Sequence, residues 1–174
     1  MRVSYEHALA AVQALLSSFR AGDIVLHIGM TSERGSSYTL ETQAHRDNYT
    51  ECDVDGRLPT EYTSTTEPLG GADNPALMRT GFPMREIFER WRANVASCAS
   101  GDVEVALSDD AGRYLCEFIY YTSLLQVSLR GEKKMRVVFL HVPADIYQLG
   151  KIEEGRQITL ALIRALVQVP HKGF

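Results

Sequence analysis

Apolar positions change period several times along the chain, and each change predicts an element. From Tyr5 to Phe19, Val12, Leu15, Leu16 and Phe19 fall at helical spacing among alanines and Gly22 follows as a stop, which predicts an amphipathic helix. Asp23 to Gly29, DIVLHIG, predicts a buried strand ended by glycine, and the small polar residues from Thr31 to Ser37 predict a loop. Met84, Ile87, Phe88, Trp91 and Val95 share one face of a helix predicted over 84–99. Val103 to Leu107 predicts a strand, 115–129 a helix, Met135 to Leu140 another strand, and 150–168 a last helix. Strands alternating with helices predict an α/β fold, a three-layer α/β/α sandwich of phosphorylase/hydrolase-like type with a mostly parallel central sheet. In such sheets ligands bind at the carboxyl ends of strands, where Gly29, the turn before Cys116 and His141 are all expected.

Between Arg46 and Asn74 the pattern fades into Asp, Thr, Glu and Gly with few aliphatics. This predicts irregular surface structure, or a short hairpin around Asp55-Gly56, able to form a cover.

Composition narrows the function classes. A chain of 174 residues with 45% hydrophobic content supports one core, so a single domain over 1–174 is expected. The formal charge of −4 and the absence of Lys/Arg runs give no field for a phosphate backbone or an anionic membrane, so neither nucleic acid nor membrane is an expected partner. Three cysteines without paired spacing argue for a reducing compartment rather than a disulfide scaffold. No Cys/His group has zinc spacing, and no metal or cofactor is expected. With no run of about 18 apolar residues and no signal-peptide pattern at the start, a cytoplasmic location is expected.

The chemistry concentrates in Ser108-Asp109-Asp110-Ala111-Gly112-Arg113-Tyr114-Leu115-Cys116, which reads as a turn delivering a cysteine to a helix start. There the unpaired N–H groups and the positive dipole end favour the thiolate, the reactive form, so Cys116 is the candidate nucleophile. Twenty-five residues later His141 is expected at the tip of a buried strand, just before Pro143, as the candidate base. Cys52, in a polar loop, and Cys98, at a helix end, lack such a context. His27 reads as a core histidine, and His45 as a residue able to line the site. Glu41, taken alone, reads as a solvated carboxylate.

The segment DAGRYLCEFIYYTSL followed by FLHVP resembles the pyroglutamyl-peptidase I family of cysteine peptidases. LHIGM and the later YTLETQAHRDNY resemble that family's strand, loop and Leu-Glu segment. The resemblance implies a Cys116–His141–Glu41 triad; should Glu41→Gln prove silent, the acid is sought first at Glu33 or Asp53, a fallback outside the resemblance. The resemblance also implies a peptide substrate bearing an N-terminal pyroglutamyl residue. Gly29 and Met30, at the end of the strand that resembles the family's, would be substrate-binding residues, and Arg57, in DGRLP, resembles an arginine near the family's site. Met30 stands where bacterial members commonly have glutamine.

By the same resemblance Met1 falls where the family's second strand begins, so a strand and a Gly/Phe-rich binding loop are expected to be missing. Self-association and weak pyroglutamyl cleavage are then expected. The alternative reading is a non-catalytic or truncated homologue that keeps the triad residues. An amidotransferase-like thiol hydrolase is disfavoured, because Cys116 has no Gly-x-Cys-x-Gly elbow around it.

Overall fold

The structure, a computed structural model, describes residues 2–20, 22–31, 35–59, 74–98, 103–131 and 136–169. Among them run α1 (Tyr5–Ser17), β1 (Val25–Thr31), β2 (Tyr38–Glu41), β3 (Gln43–His45), β4 (Leu77–Arg79) and α2 (Met84–Cys98). These are followed by β5 (Val105–Ser108), α3 (Leu115–Leu129), β6 (Val137–Pro143), a 3-10 turn (Ala144–Tyr147) and α4 (Lys151–Gln168).

Four strands form one sheet in the order β1-β6-β2-β5, a non-sequential order that requires crossovers. Tyr38 N–H donates to the Glu104 carbonyl and Thr42 N–H to that of Ser108, at 2.9 and 2.8 Å, so β2 and β5 advance in the same direction. The central sheet is mostly parallel, as the alternation of strands and helices predicts. A separate antiparallel pair joins β3 to β4, Ala44 opposite Met78.

The chain groups into two compact units, one of Met1–His27, Glu41–Gly81 and Ser108–Phe139, the other of Ile28–Leu40, Phe82–Leu107 and Leu140–Phe174. In the first, α3 is the central helix. Its residues from Tyr120 to Leu125 are all buried, with Phe118 below them, and α1 packs on it through Tyr5, Ala8, Val12 and Leu16. A helix apolar on nearly every side belongs inside a core. In the second, α2 packs on α4, where the Trp91 indole N–H donates to the Ile158 carbonyl and Asn94 to that of Ala161, both at 3.1 Å. No helix among the described residues is long and apolar enough to cross a membrane.

Several elements differ from expectation, α1 ending at Ser17 rather than Phe19 and β5 spanning Val105–Ser108 rather than Val103 to Leu107. β1 does not stop at Gly29 but runs through Met30 to Thr31, because a glycine weakens a strand without ending its ladder. Of the two readings for this stretch the irregular one fits the described residues, Asp55-Gly56 being a tight turn without flanking strands: Asp53 N–H donates to the Arg57 carbonyl at 2.9 Å, and Asp53 Oδ1 accepts the N–H groups of Asp55 and Arg57 at 2.9 and 3.1 Å. β2, β3 and β4 are short strands that no alternation announced. The remainder of the expected cover, 60–73, and Glu33 lie outside the described residues.

Candidate active site

Cys116 is the second residue of α3. The turn before it is closed by Asp110, whose Oδ1 accepts the Gly112 N–H at 3.1 Å, and Gly112 takes φ +89°, a backbone that glycine adopts without strain. Tyr114 occupies the N-cap position in an extended conformation and makes no side-chain capping bond, while the Phe118 N–H already donates to its carbonyl at 3.0 Å. The N–H groups of Leu115, Cys116 and Glu117 precede that first helical bond and have no intrahelical acceptor.

The thiol itself departs from expectation. Burial pushes Cys116 up to about 11, and the charge of Glu41 adds to the effect. A helix start contributes only about 0.3–1 kcal/mol to an anion at its end, which desolvation of a half-buried thiolate outweighs. Cys116 therefore rests as a thiol rather than as a standing thiolate.

Glu41 ends β2, where all four residues are buried, and is itself fully buried rather than solvated. Its strand is fastened to the turn before Cys116: Thr42 Oγ1 donates to the Ser108 carbonyl at 3.0 Å and Gln43 Nε2 to that of Asp109 at 2.7 Å. From α3, the Tyr120 hydroxyl donates to the Glu41 carbonyl at 3.1 Å. The segments that carry Glu41 and Cys116 are thus bonded to each other within the first unit.

His141 belongs to the second unit and does not sit at a strand tip. β6 continues past it through Val142 to Pro143, and every residue of that strand is buried, because an extended apolar Val-Pro pair prolongs the strand before the 3-10 turn. Strand alternation puts His141 on the face that carries Val137 and Phe139, opposite Leu140 and Val142.

Gly29 is half-buried and Met30 exposed within β1, and Arg57 is exposed at the end of the Asp53 turn. Asp53 itself is committed elsewhere, since its Oδ2 also accepts the Tyr5 N–H at 3.0 Å at the start of α1. His27 fits a core histidine: its Nε2 lies 2.8 Å from Ser123 Oγ, and burial lowers it to about 4. Cys52 is exposed and Cys98 half-buried.

One cluster escaped sequence reasoning. A ring nitrogen of His45 and carboxylate oxygens of Asp110 and Glu117 lie within 4.8 Å of one another, close enough to hold a cation. Arg113 already supplies that charge, its Nη1 donating to Asp110 Oδ1 at 2.5 Å and to Glu117 Oε2 at 2.8 Å. The available signal was a lone acid inside an otherwise apolar helix, four residues after an arginine.

The family described as pyroglutamyl peptidase matches residues 1–162. Mouse pyroglutamyl-peptidase 1 is 31% identical over 166 residues, covering 95% of this chain and 68% of the mouse protein. Its human counterpart is 30% identical over the same shares. Among solved structures, a mutant pyrrolidone carboxyl peptidase from Pyrococcus furiosus superposes with a TM-score of 0.71 at 20% identity, covering 96% of this chain and 79% of that one. The pyrrolidone carboxyl peptidase from Thermococcus litoralis gives 0.70 at 21% identity, covering 95% and 74%. At such identity the structural likeness speaks for the fold.

Proposed function

Because the chain belongs to the pyroglutamyl-peptidase family of cysteine peptidases, we propose that it removes an N-terminal pyroglutamyl residue from peptides through an acyl-enzyme on Cys116. The sulfur attacks the pyroglutamyl carbonyl as His141 takes the thiol proton. The tetrahedral oxyanion is held by first-turn N–H groups of α3, each such donor contributing about 3–4 kcal/mol in hydrolases of this kind. His141 then passes the proton to the leaving amine, the C–N bond breaks, and water hydrolyses the thioester with His141 again as base. Glu41 orients the imidazole and stabilises the imidazolium.

Because Cys116 holds its proton firmly, His141 removes it in concert with the attack on the substrate and not before. Gly29 and Met30, on β1, and Arg57 are the substrate-binding residues of this reading. The chain would act as one domain in the cytoplasm, on peptides rather than on nucleic acid or membranes.

The observation that carries the proposal is the pairing in one unit of a cysteine on an uncapped helix start with the charge of a buried glutamate. Turnover of a pyroglutamyl-aminomethylcoumarin substrate by the purified chain tests it. Release of the fluorophore that disappears in Cys116→Ala is the expected result, and equal release by the two proteins would end the proposal.

A further inference from the structure

We infer that Glu117 and His45 form a positioning clamp that holds the Cys116 end of α3 in register with the strand that carries Glu41. The inference rests on the peptidase reading above. Glu117 is fully buried, yet both of its oxygens are used: Oε1 accepts the backbone N–H of His45 at 2.9 Å and faces His45 Nδ1 at 2.8 Å, and Oε2 accepts from Arg113. Arg113 Nη1 in turn donates to Asp110 Oδ1 and, at 2.7 Å, to the Gly112 carbonyl, so the same carboxylate braces the turn that presents the cysteine.

The sequence geometry makes this bond pattern consequential. Glu117 adjoins Cys116, and His45 lies four residues beyond Glu41 across the β2–β3 step. The bonds from Glu117 to the His45 main chain and to its ring together fix how far the thiol sits along α3 relative to the acid's strand, and the ring bond is the one that substitution of His45 removes. The Tyr120 bond to the Glu41 carbonyl, one turn further along α3, is a second fixed point, and two points set both distance and rotation.

Stability alone explains such a cluster poorly. Buried ion pairs are commonly replaced by apolar residues without loss, whereas directional bonds on both oxygens select one geometry. A displacement of about 1 Å between reacting groups costs on the order of 100-fold in rate.

The test compares His45→Ala with His45→Asn, whose side-chain amide offers an N–H close to the position of Nδ1. His45 is half-buried, so both variants are expected to fold. With rates expressed per folded molecule, the folded fraction of each protein being read from its urea denaturation curve, His45→Ala should lose about 10- to 100-fold in kcat with KM changed less than about twofold. His45→Asn should recover most of that loss. Unchanged kcat per folded molecule in His45→Ala, or a loss carried by KM, would overturn the clamp, because a merely structural role lowers the fraction of folded enzyme and not the rate per site. If the wild-type chain turns over no pyroglutamyl substrate, the peptidase reading fails and the clamp is read from the alkylation rate of Cys116. A change of about threefold or more in His45→Ala that His45→Asn reverses supports it, and equal rates in all three proteins overturn it.

Discussion

The Tyr120 hydroxyl donates to the main-chain carbonyl of Glu41 at 3.1 Å, so the helix that carries Cys116 grips the acid's strand by its backbone. Replacing Tyr120 by Phe leaves that buried carbonyl short of a donor at nearly constant volume. A loss of about 1–2 kcal/mol in unfolding free energy is expected, measured by urea denaturation with an unchanged m-value.

Glu41 should act in opposite directions on two properties of Cys116. Its charge raises the proton affinity of the thiol, so Glu41→Gln should speed alkylation of Cys116 by iodoacetamide at about pH 8 while slowing peptide turnover. Mass spectrometry of the labelled cysteine and the coumarin assay read the two effects separately. In the wild-type chain the Cys116 alkylation rate should still be climbing at about pH 10, on the way to a midpoint of about 11.

His141 and Glu41 should differ in the size of their contributions. His141→Ala is expected to lose at least about 1000-fold in kcat, whereas Glu41→Gln should keep a measurable remainder, because the orienting acid contributes less than the base it orients. Steady-state kinetics of the two variants against the pyroglutamyl substrate settle the order.

Gly112 should be intolerant of a side chain although space surrounds it. Nothing lies within 4 Å of where its Cβ would be, but φ of +89° strains any L-residue. Gly112→Ala is expected to cost about 1 kcal/mol or more in stability, with a fall in kcat because the turn delivers Cys116. Thermal unfolding and the coumarin assay report the two losses.

His27 makes stability fall in acid. Its proton affinity drops from 6.5 to about 4 on folding, so the unfolded chain binds the extra proton between those values. The contribution is complete above pH 6.5 and is lost as the pH falls through 4, up to about 3 kcal/mol in all. His27→Gln should flatten that limb of a stability-against-pH curve measured by urea titration.

The sequence was most readable where one period ran long. α3 begins and ends where the apolar run from Leu115 to Leu129 predicts, α4 differs from expectation by a single residue at its start, and α2 follows expectation from Met84 to Cys98, its expected last residue lying outside the described residues. β2 was hidden because all four of its residues, Thr39 and Glu41 included, face inward, so no alternation exists to be seen. Glu41 therefore looked solvated until its family likeness promoted it. Pro143 predicts a strand end near His141, whereas proline closes a strand that continues up to it. The bond from Glu117 to His45 carries no sequence signal, because the two residues are distant in sequence and only tertiary structure brings them together.

The protonated state of Cys116 also decides how the molecule ages. Peroxides attack thiolates, and the ladder from sulfenic to sulfonic acid starts only from that form. A half-buried thiol with its midpoint near 11 holds almost no thiolate at neutral pH, so the resting nucleophile is protected from the oxidant that would destroy it. Exposed Cys52 is the more accessible first target, and damage there would mark the protein before it silenced it.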